Sequence, residues 1–257
     1  MAVEGLPAAG DELAGQVALV TGGAKNIGRA ISLALAAAGA AVAINTLRSR
    51  EDADAVAKEI RASRAEADVF LADISDATAV GAMGEAVLKR FGKIDILVLN
   101  ASQRKEILFK DMTFEEWRNT MSITLDGSFH CIKACLPSML ANRSGNIITL
   151  GGDAVLQGGN RKAHNTTAKS GLVGLTRALA KELAADGIRV NCVSPGSINT
   201  KRPAHRSVRN DANITIPLGR RGEAEEIAAV VRFLCGPGGG FITGQIMHVS
   251  GGDFIFA

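Results

Sequence analysis

Along the 257-residue chain, short aliphatic and β-branched runs alternate with longer stretches whose apolar positions return every three or four residues. The short runs are Val17–Val20, Ala41–Ile44, Asp68–Leu71, Ile94–Leu99, Gly145–Leu150, Arg189–Val193 and Ile246–Val249, and they read as strands. The periodic stretches are Ile27–Ala38, Arg50–Ser63, Ala77–Phe91, Phe114–Ala141, Thr167–Ala185 and Glu223–Leu234, and they read as amphipathic helices. Strands that alternate with helices predict βαβ units, a mainly parallel sheet and an α/β fold. No proline- or serine-rich linker and no short repeat interrupts the pattern. One domain over residues 15–257 is therefore expected, with residues 1–14 as a frayed tail.

Composition narrows the class. Apolar residues make up 47% and charged residues 21%, and the net charge is +3, which does not point to nucleic acid or a membrane surface as partner. The segment Met1–Ala14 carries acids where a secretory signal needs a basic end and an apolar core. The longest apolar stretch, Ala30–Ile44, is too short to span a bilayer. Cys131, Cys135, Cys192 and Cys235 have no metal or redox spacing, so they read as packing residues in a reducing, cytoplasmic setting, and no metal site is expected. Tyrosine is absent altogether.

Chemistry enters after the first strand. Thr21-Gly22-Gly23-Ala24-Lys25-Asn26-Ile27-Gly28 is a glycine-rich turn that opens a helix. Glycine lets a backbone approach a pyrophosphate, and a helix N-terminus offers free N–H groups and the positive end of a dipole. A turn of this composition alone fits any tight bend equally well; its place between a first strand and a helix points to a dinucleotide.

The turn resembles the TGxxxGxG motif of the short-chain dehydrogenase/reductase family, with Asn26 where the middle glycine is usual. Asparagine enters the left-handed region more readily than most residues. The resemblance continues through Asp73-Ile74-Ser75-Asp76, through Asp95–Ser102 (DILVLNAS, where the family reads DILVNNAG) and through Val190–Thr200 with its PG pair. It ends in Ile216–Arg220, Thr243–Gln245 and Gly251-Gly252. It implies a doubly wound Rossmann-type αβα sandwich with a seven-stranded parallel sheet, and a homotetramer built through two long middle helices. The apolar series Leu172, Leu175, Leu179 and Leu183 is compatible with that assembly and equally with any core-facing helix.

The resemblance also implies a cofactor site. Gly22, Lys25, Asn26, Ile27 and Gly28 would contribute from the first turn, and Asn45, Arg48 and Ser49 from the end of the second strand. Asp73 and Ile74 would follow the third strand, Asn100 and Ala101 the fourth. Lys169, Pro195, Gly196, Ile198 and Thr200 complete the set. An NAD site needs a carboxylate at the end of the second strand for the ribose hydroxyls, whereas this chain reads Ile44-Asn45-Thr46-Leu47-Arg48 there. Lys25 and Arg48 are instead placed to pair with a 2′-phosphate, so NADP(H) is expected in preference to NAD(H).

The family's catalytic side chains do not carry over. Its lysine aligns with Lys169, but Asn165 stands at the tyrosine position, Gly152 at the serine and Thr124 at the asparagine. An amide is no general acid, and such an acid contributes about 10²–10⁴-fold. Two neighbours offer substitutes: His164, whose imidazole titrates near neutrality, as proton donor, and Asp153 to hold a hydroxyl or orient the histidine. Each also fits a plain role, His164 near a helix start and Asp153 in a turn. Lys201, Arg202, His205, Arg206 and Arg209 fall where the family has its substrate-covering loop, and suggest an anionic or thioester substrate or simply a solvated basic segment. Three functions follow: an NADP(H)-dependent oxidoreductase acting on a carbonyl/alcohol pair with an atypical proton donor, a dinucleotide-binding sensor or regulator, or a non-redox enzyme in the same pocket.

Overall fold

Seven parallel strands run through the chain as one sheet, described here from a computed structural model that covers residues 10–103, 105–200 and 216–255. They are β1 (Val17–Val20), β2 (Ala41–Thr46), β3 (Ala67–Leu71), β4 (Ile96–Leu99), β5 (Gly145–Leu150), β6 (Ile188–Pro195) and β7 (Ile246–Val249), in the order β3-β2-β1-β4-β5-β6-β7. Val17 pairs with Ala41 on one side and Ala18 with Ile96 on the other. The order reverses between β1 and β4, and the carboxyl ends of strands at such a switch point leave a crevice for a ligand.

Alternation along the strands divides the interior into two layers. Ala18 and Val20 face one layer, with Ile31 and Leu35 of α1 (Asn26–Ala36), Val56 and Ile60 of α2 (Arg50–Ala62), and Ile227 and Val231 of α8 (Ala224–Cys235). Val17 and Leu19 face the other, with Met83 and Val87 of α3 (Ala77–Phe91) and Cys131 and Met139 of α5 (Gly127–Asn142), between which α4 (Phe114–Met121) intervenes in sequence. Each large aliphatic side chain so buried contributes about 1.5–3 kcal/mol. The doubly wound architecture matches the sequence expectation.

Local chemistry sets several boundaries. Asp76 accepts from the Thr78 and Ala79 amides at 2.8 and 3.2 Å to start α3, and Gly92 at φ +83° ends it. Thr113 and Glu116 form a reciprocal capping box at the start of α4. The single helix expected over Phe114–Ala141 is broken by a π-helical turn, Ser122–Asp126. A short α6 (Ala154–Gln157) precedes α7 (Ala163–Leu183), which starts four residues before the expected Thr167.

The frayed tail is corrected from Gly10 onward; residues 1–9, like the basic segment 201–209, lie outside the described residues. Leu13 is fully buried, its amide donates to the Ala38 carbonyl at 2.8 Å, and Glu12 binds Arg232 of α8 at 2.5 Å. That guanidinium pulls the Glu12 carboxyl down to about 2. All four cysteines are free and buried, and burial raises the Cys131 and Cys235 thiols to about 12, leaving them protonated packing groups. Among the described residues no helix is long and apolar enough to cross a membrane, and no cluster of His, Cys, Asp or Glu is placed to hold a metal.

Candidate functional site

A cleft of about 490 Å³ opens at the switch point. The turn after β1 forms its floor, and close packing dictates the turn's sequence. A Cβ on Gly28 would stand 2.1 Å from the Gly22 carbonyl oxygen, and one on Gly22, at φ +61°, would press the Asn100 amide at 3.1 Å. Asn26 adopts φ +49°, so asparagine does take the left-handed conformation expected of it. Gly22, Lys25, Asn26, Ile27 and Gly28 all line the cleft.

The turn is tied down on both sides. Asn100, following β4, donates its side-chain amide to the Thr21 and Gly22 carbonyls, each at 3.0 Å. The Thr21 hydroxyl accepts from the Asn100 and Ala101 amides and donates to the Val98 carbonyl. On the other side, Gly23 donates to the Asn45 carbonyl at 3.0 Å. The Asn45 side chain is spent inside the sheet, donating to the Phe70 and Ala72 carbonyls at 3.3 and 3.2 Å.

Asp73 and Ile74 form the wall beyond β3, and the Asp73 carboxylate is held by the Ser75 amide and hydroxyl at 2.9 and 2.6 Å. Ala101 and Thr200 complete the part of the expected set that lines the cleft. Arg48, Ser49, Lys169, Pro195, Gly196 and Ile198 are not among its lining residues. Ile198 is buried in the core, and Gly196 packs so closely on Ser250 that a Cβ would meet its Cα at 2.7 Å. Leu47, Ala72, Ser102, Gln103 and Ile123 line the cleft without having been expected there. Leu47 is a half-exposed leucine immediately after the buried end of β2.

Beyond the cleft's far end, α7 carries Asn165 and Lys169 one turn apart on one face. Lys169 is buried and its ammonium donates to the Leu150 carbonyl at the end of β5. Asn165 donates to the Gln103 carbonyl at 2.9 Å. The Gln103 side chain in turn accepts from Asn119 at 2.9 Å. Thr124 lies in the π-helical turn, fully buried, with no partner for its hydroxyl. Gly152 faces open space, with no atom within 4 Å of a built Cβ.

His164 is fully buried, absent from the cleft lining, and neither ring nitrogen has a hydrogen-bond partner. Burial pushes its pKa below the ordinary 6.5, outweighing the Lys105 main chain and Glu116, which favour the protonated ring. A general acid must touch its substrate, directly or through one water; His164 lies on the packed face of α7 with Ala168 and Leu172. Asp153 makes no hydrogen bond to either ring nitrogen of His164, and its charge acts on His248 of β7.

Residues 22–253 match the family model described as enoyl-(acyl carrier protein) reductase. The chain is 40% identical over 245 residues to the 3-oxoacyl-[acyl-carrier-protein] reductase of Synechocystis sp., covering 95% of this chain and 99% of that one. To the Escherichia coli (strain K12) protein of the same description it is 37% identical over 243 residues, covering 94% and 98%. A solved structure from Brucella melitensis, described as a short-chain dehydrogenase/reductase of the glucose/ribitol dehydrogenase type, aligns with a TM-score of 0.88 at 35% identity, covering 95% of this chain and 99% of that one. Motifs, sheet order and relatives agree: the chain belongs to the short-chain dehydrogenase/reductase family.

Proposed function

We propose that this protein is an NADP(H)-dependent oxidoreductase that interconverts a carbonyl and an alcohol, with an atypical route for the proton. The observation that carries the cofactor assignment is the cradle at the switch point, where a Cβ on Gly28 would stand 2.1 Å from the Gly22 carbonyl oxygen and backbone must meet the ligand directly. Gly22, Asn26, Ile27 and Gly28 hold the pyrophosphate, Asp73 and Ile74 the adenine side, and Asn100, Ala101 and Thr200 the path toward the nicotinamide. Lys25, which lines the cleft, reads the 2′-phosphate together with Arg48, two residues past the end of β2. Asn45 serves by fastening the turn. When bound, the dinucleotide supplies or accepts the hydride. Lys169 holds the nicotinamide ribose, a role that requires its ammonium to turn from or share the Leu150 carbonyl.

The catalytic divergence is the finer part of the proposal. Asn165, Gly152 and Thr124 stand at the positions of the family's tyrosine, serine and asparagine, and the burial of His164 supports a route for the proton through water in place of that imidazole. The relatives described as 3-oxoacyl-[acyl-carrier-protein] reductases favour a thioester or other anionic substrate. Phe129, exposed on α5, supports association of copies, for which the family's tetramer is the assembly proposed.

One observation favours a second function, dinucleotide binding without turnover. Asn165 ties α7 to the loop after β4 at the very position where a reacting hydroxyl is required. The test is a titration with NADPH and NADH, followed by a screen of ketones, aldehydes and β-ketoacyl thioesters for NADPH consumption, with the reverse reactions included. Tight NADPH binding with turnover supports the oxidoreductase. Tight binding with no turnover in either direction transfers the assignment to the binding protein. NADH bound as tightly as NADPH overturns the cofactor choice.

A further inference from the structure

Lys25 already has an anion beside it. Its ammonium pairs with the Asp52 carboxylate at 2.9 Å, and the two side chains are 55% and 49% exposed. Lys25 belongs to the turn between β1 and α1 and lines the cleft; Asp52 sits in the first turn of α2, directly after the end of β2. Asp52 is also at home there without Lys25, because the positive end of the α2 dipole favours an acid in its first turn. Arg48, the other cation of this corner, is exposed. The carboxylate that an NAD site carries on β2 itself is missing, yet a carboxylate from the following helix reaches the same cation.

We propose that Asp52 is a specificity-determining residue: an internal anion that competes with the cofactor's 2′-phosphate for Lys25 and so limits the preference for NADPH over NADH. The proposal rests on the assignment of Lys25 to the 2′-phosphate made above. An exposed ion pair is weak by itself, so Lys25 can exchange Asp52 for a more highly charged acceptor. The carboxylate it leaves then faces a phosphate of like charge within the reach of one lysine side chain, and repulsion at that range opposes binding. NADH brings a hydroxyl to the same place, leaves the Lys25–Asp52 pair intact and meets no such opposition.

The experiment compares wild type, Asp52→Asn and Lys25→Ala as folded full-length chains, titrated with NADPH and with NADH at low and high salt. Asp52→Asn is expected to tighten NADPH by about two- to five-fold, the scale of one exposed charge pair, with NADH unchanged within experimental error. The gain should shrink at high salt, where exposed charges are screened. If Lys25→Ala weakens NADPH selectively while Asp52→Asn leaves NADPH unchanged or weaker, the competing role is overturned and the cofactor assignment stands. If Lys25→Ala leaves the NADPH/NADH ratio unchanged, Lys25 does not read the phosphate and both statements fall.

Discussion

The two ends of the cleft handle their buried polar groups in opposite ways. Around the turn after β1, Thr21, Ser32, Asn45 and Asn100 are each hydrogen-bonded into the backbone they support. Around α7, the hydroxyls of Thr124, Thr166 and Ser194 and both nitrogens of His164 have no partner. A buried polar atom left alone loses about 1–3 kcal/mol relative to one that is paired, so the first region is tied down throughout, while around α7 unpartnered atoms stand beside paired ones, Lys169 on Leu150, Asn165 on Gln103 and Thr176 on Thr149. The contrast teaches where substitution is tolerated. The turn after β1 depends on backbone shape and leaves no room for a Cβ at Gly28, whereas the α7 end is built from side-chain contacts that can be exchanged while the helix stays in place.

The largest effect should come from violating the cradle. Gly28→Ala puts a Cβ on the Gly22 carbonyl; overpacking of this kind destabilises by about 1–3 kcal/mol. Because the same shift displaces the turn, NADPH affinity is expected to drop by roughly 100-fold, equivalent to about 2.7 kcal/mol. Calorimetric titration beside a thermal melt checks both, and unaltered affinity would show that the turn has slack the structure lacks.

At the other end, repair should be possible. Gly152→Ser and Asn165→Tyr together, on the present Lys169, are expected to raise reduction of a small ketone by about tenfold or more, short of the roughly 10²–10⁴-fold that a fully positioned general acid supplies. The open space at Gly152 accepts the serine, while the tyrosine must first release the Gln103 carbonyl. Steady-state rates decide it; no gain in a folded, cofactor-binding variant would mean that the tether to Gln103, and not the missing hydroxyl, defines this end.

A smaller effect concerns pH. Burial lowers the His164 pKa below 6.5, and His248 shifts the same way. Below that value the unfolded chain takes up protons that the native state refuses, so stability is intact above about pH 6.5 and falls as pH drops toward the folded values. His164→Leu should therefore flatten the decline in Tm between about pH 7.5 and 5.5, with His248 left to supply the remaining slope. At pH 7.5 it should be neutral or mildly stabilising, because replacing unpartnered polar atoms by apolar ones removes a penalty. An unchanged slope refutes the account, and a hundredfold loss of turnover in the folded variant would restore His164 as proton donor.

The smallest change is predicted at Asn26→Gly. The residue sits at φ +49°, a conformation that costs asparagine little and glycine nothing. NADPH affinity should stay within about two-fold, whereas Asn26→Val, β-branched and excluded from that region, should lose it measurably.

What was legible followed from periodicity. The buried strands were plain from their aliphatic runs, three of the seven to the residue, and the cradle was plain because glycine spacing records backbone contact. The placement of His164 was not, and the reason is helical phase. With α7 taken to start at Thr167, His164 stood in a loop that could face the cleft. Because α7 starts at Ala163, His164 stacks one and two turns below Ala168 and Leu172, which are buried with it. Lys162 at the N-cap makes no side-chain cap, so nothing local marked that start. The π-helical turn at Ser122–Asp126 breaks the 3.6-residue period without a proline or glycine inside it, and no local residue marks it either. The Lys25–Asp52 pair joins two helices that meet only because β1 and β2 are neighbours.

The packing of α1 against α8 also sets a schedule. Ile31 and Leu35 of the first helix share one apolar layer with Ile227 and Val231 of the last, and Glu12 is anchored by Arg232. A ribosome adding about 5–20 residues per second needs roughly 10–40 s to travel from one helix to the other. Throughout that interval the part of the α1 flank that α8 covers lacks that partner, while β1, β2 and α2 can already cover the rest. The protein's exposure to aggregation during synthesis is thus fixed by topology, and a circular permutant that places α8 directly before β1 would close that interval almost entirely.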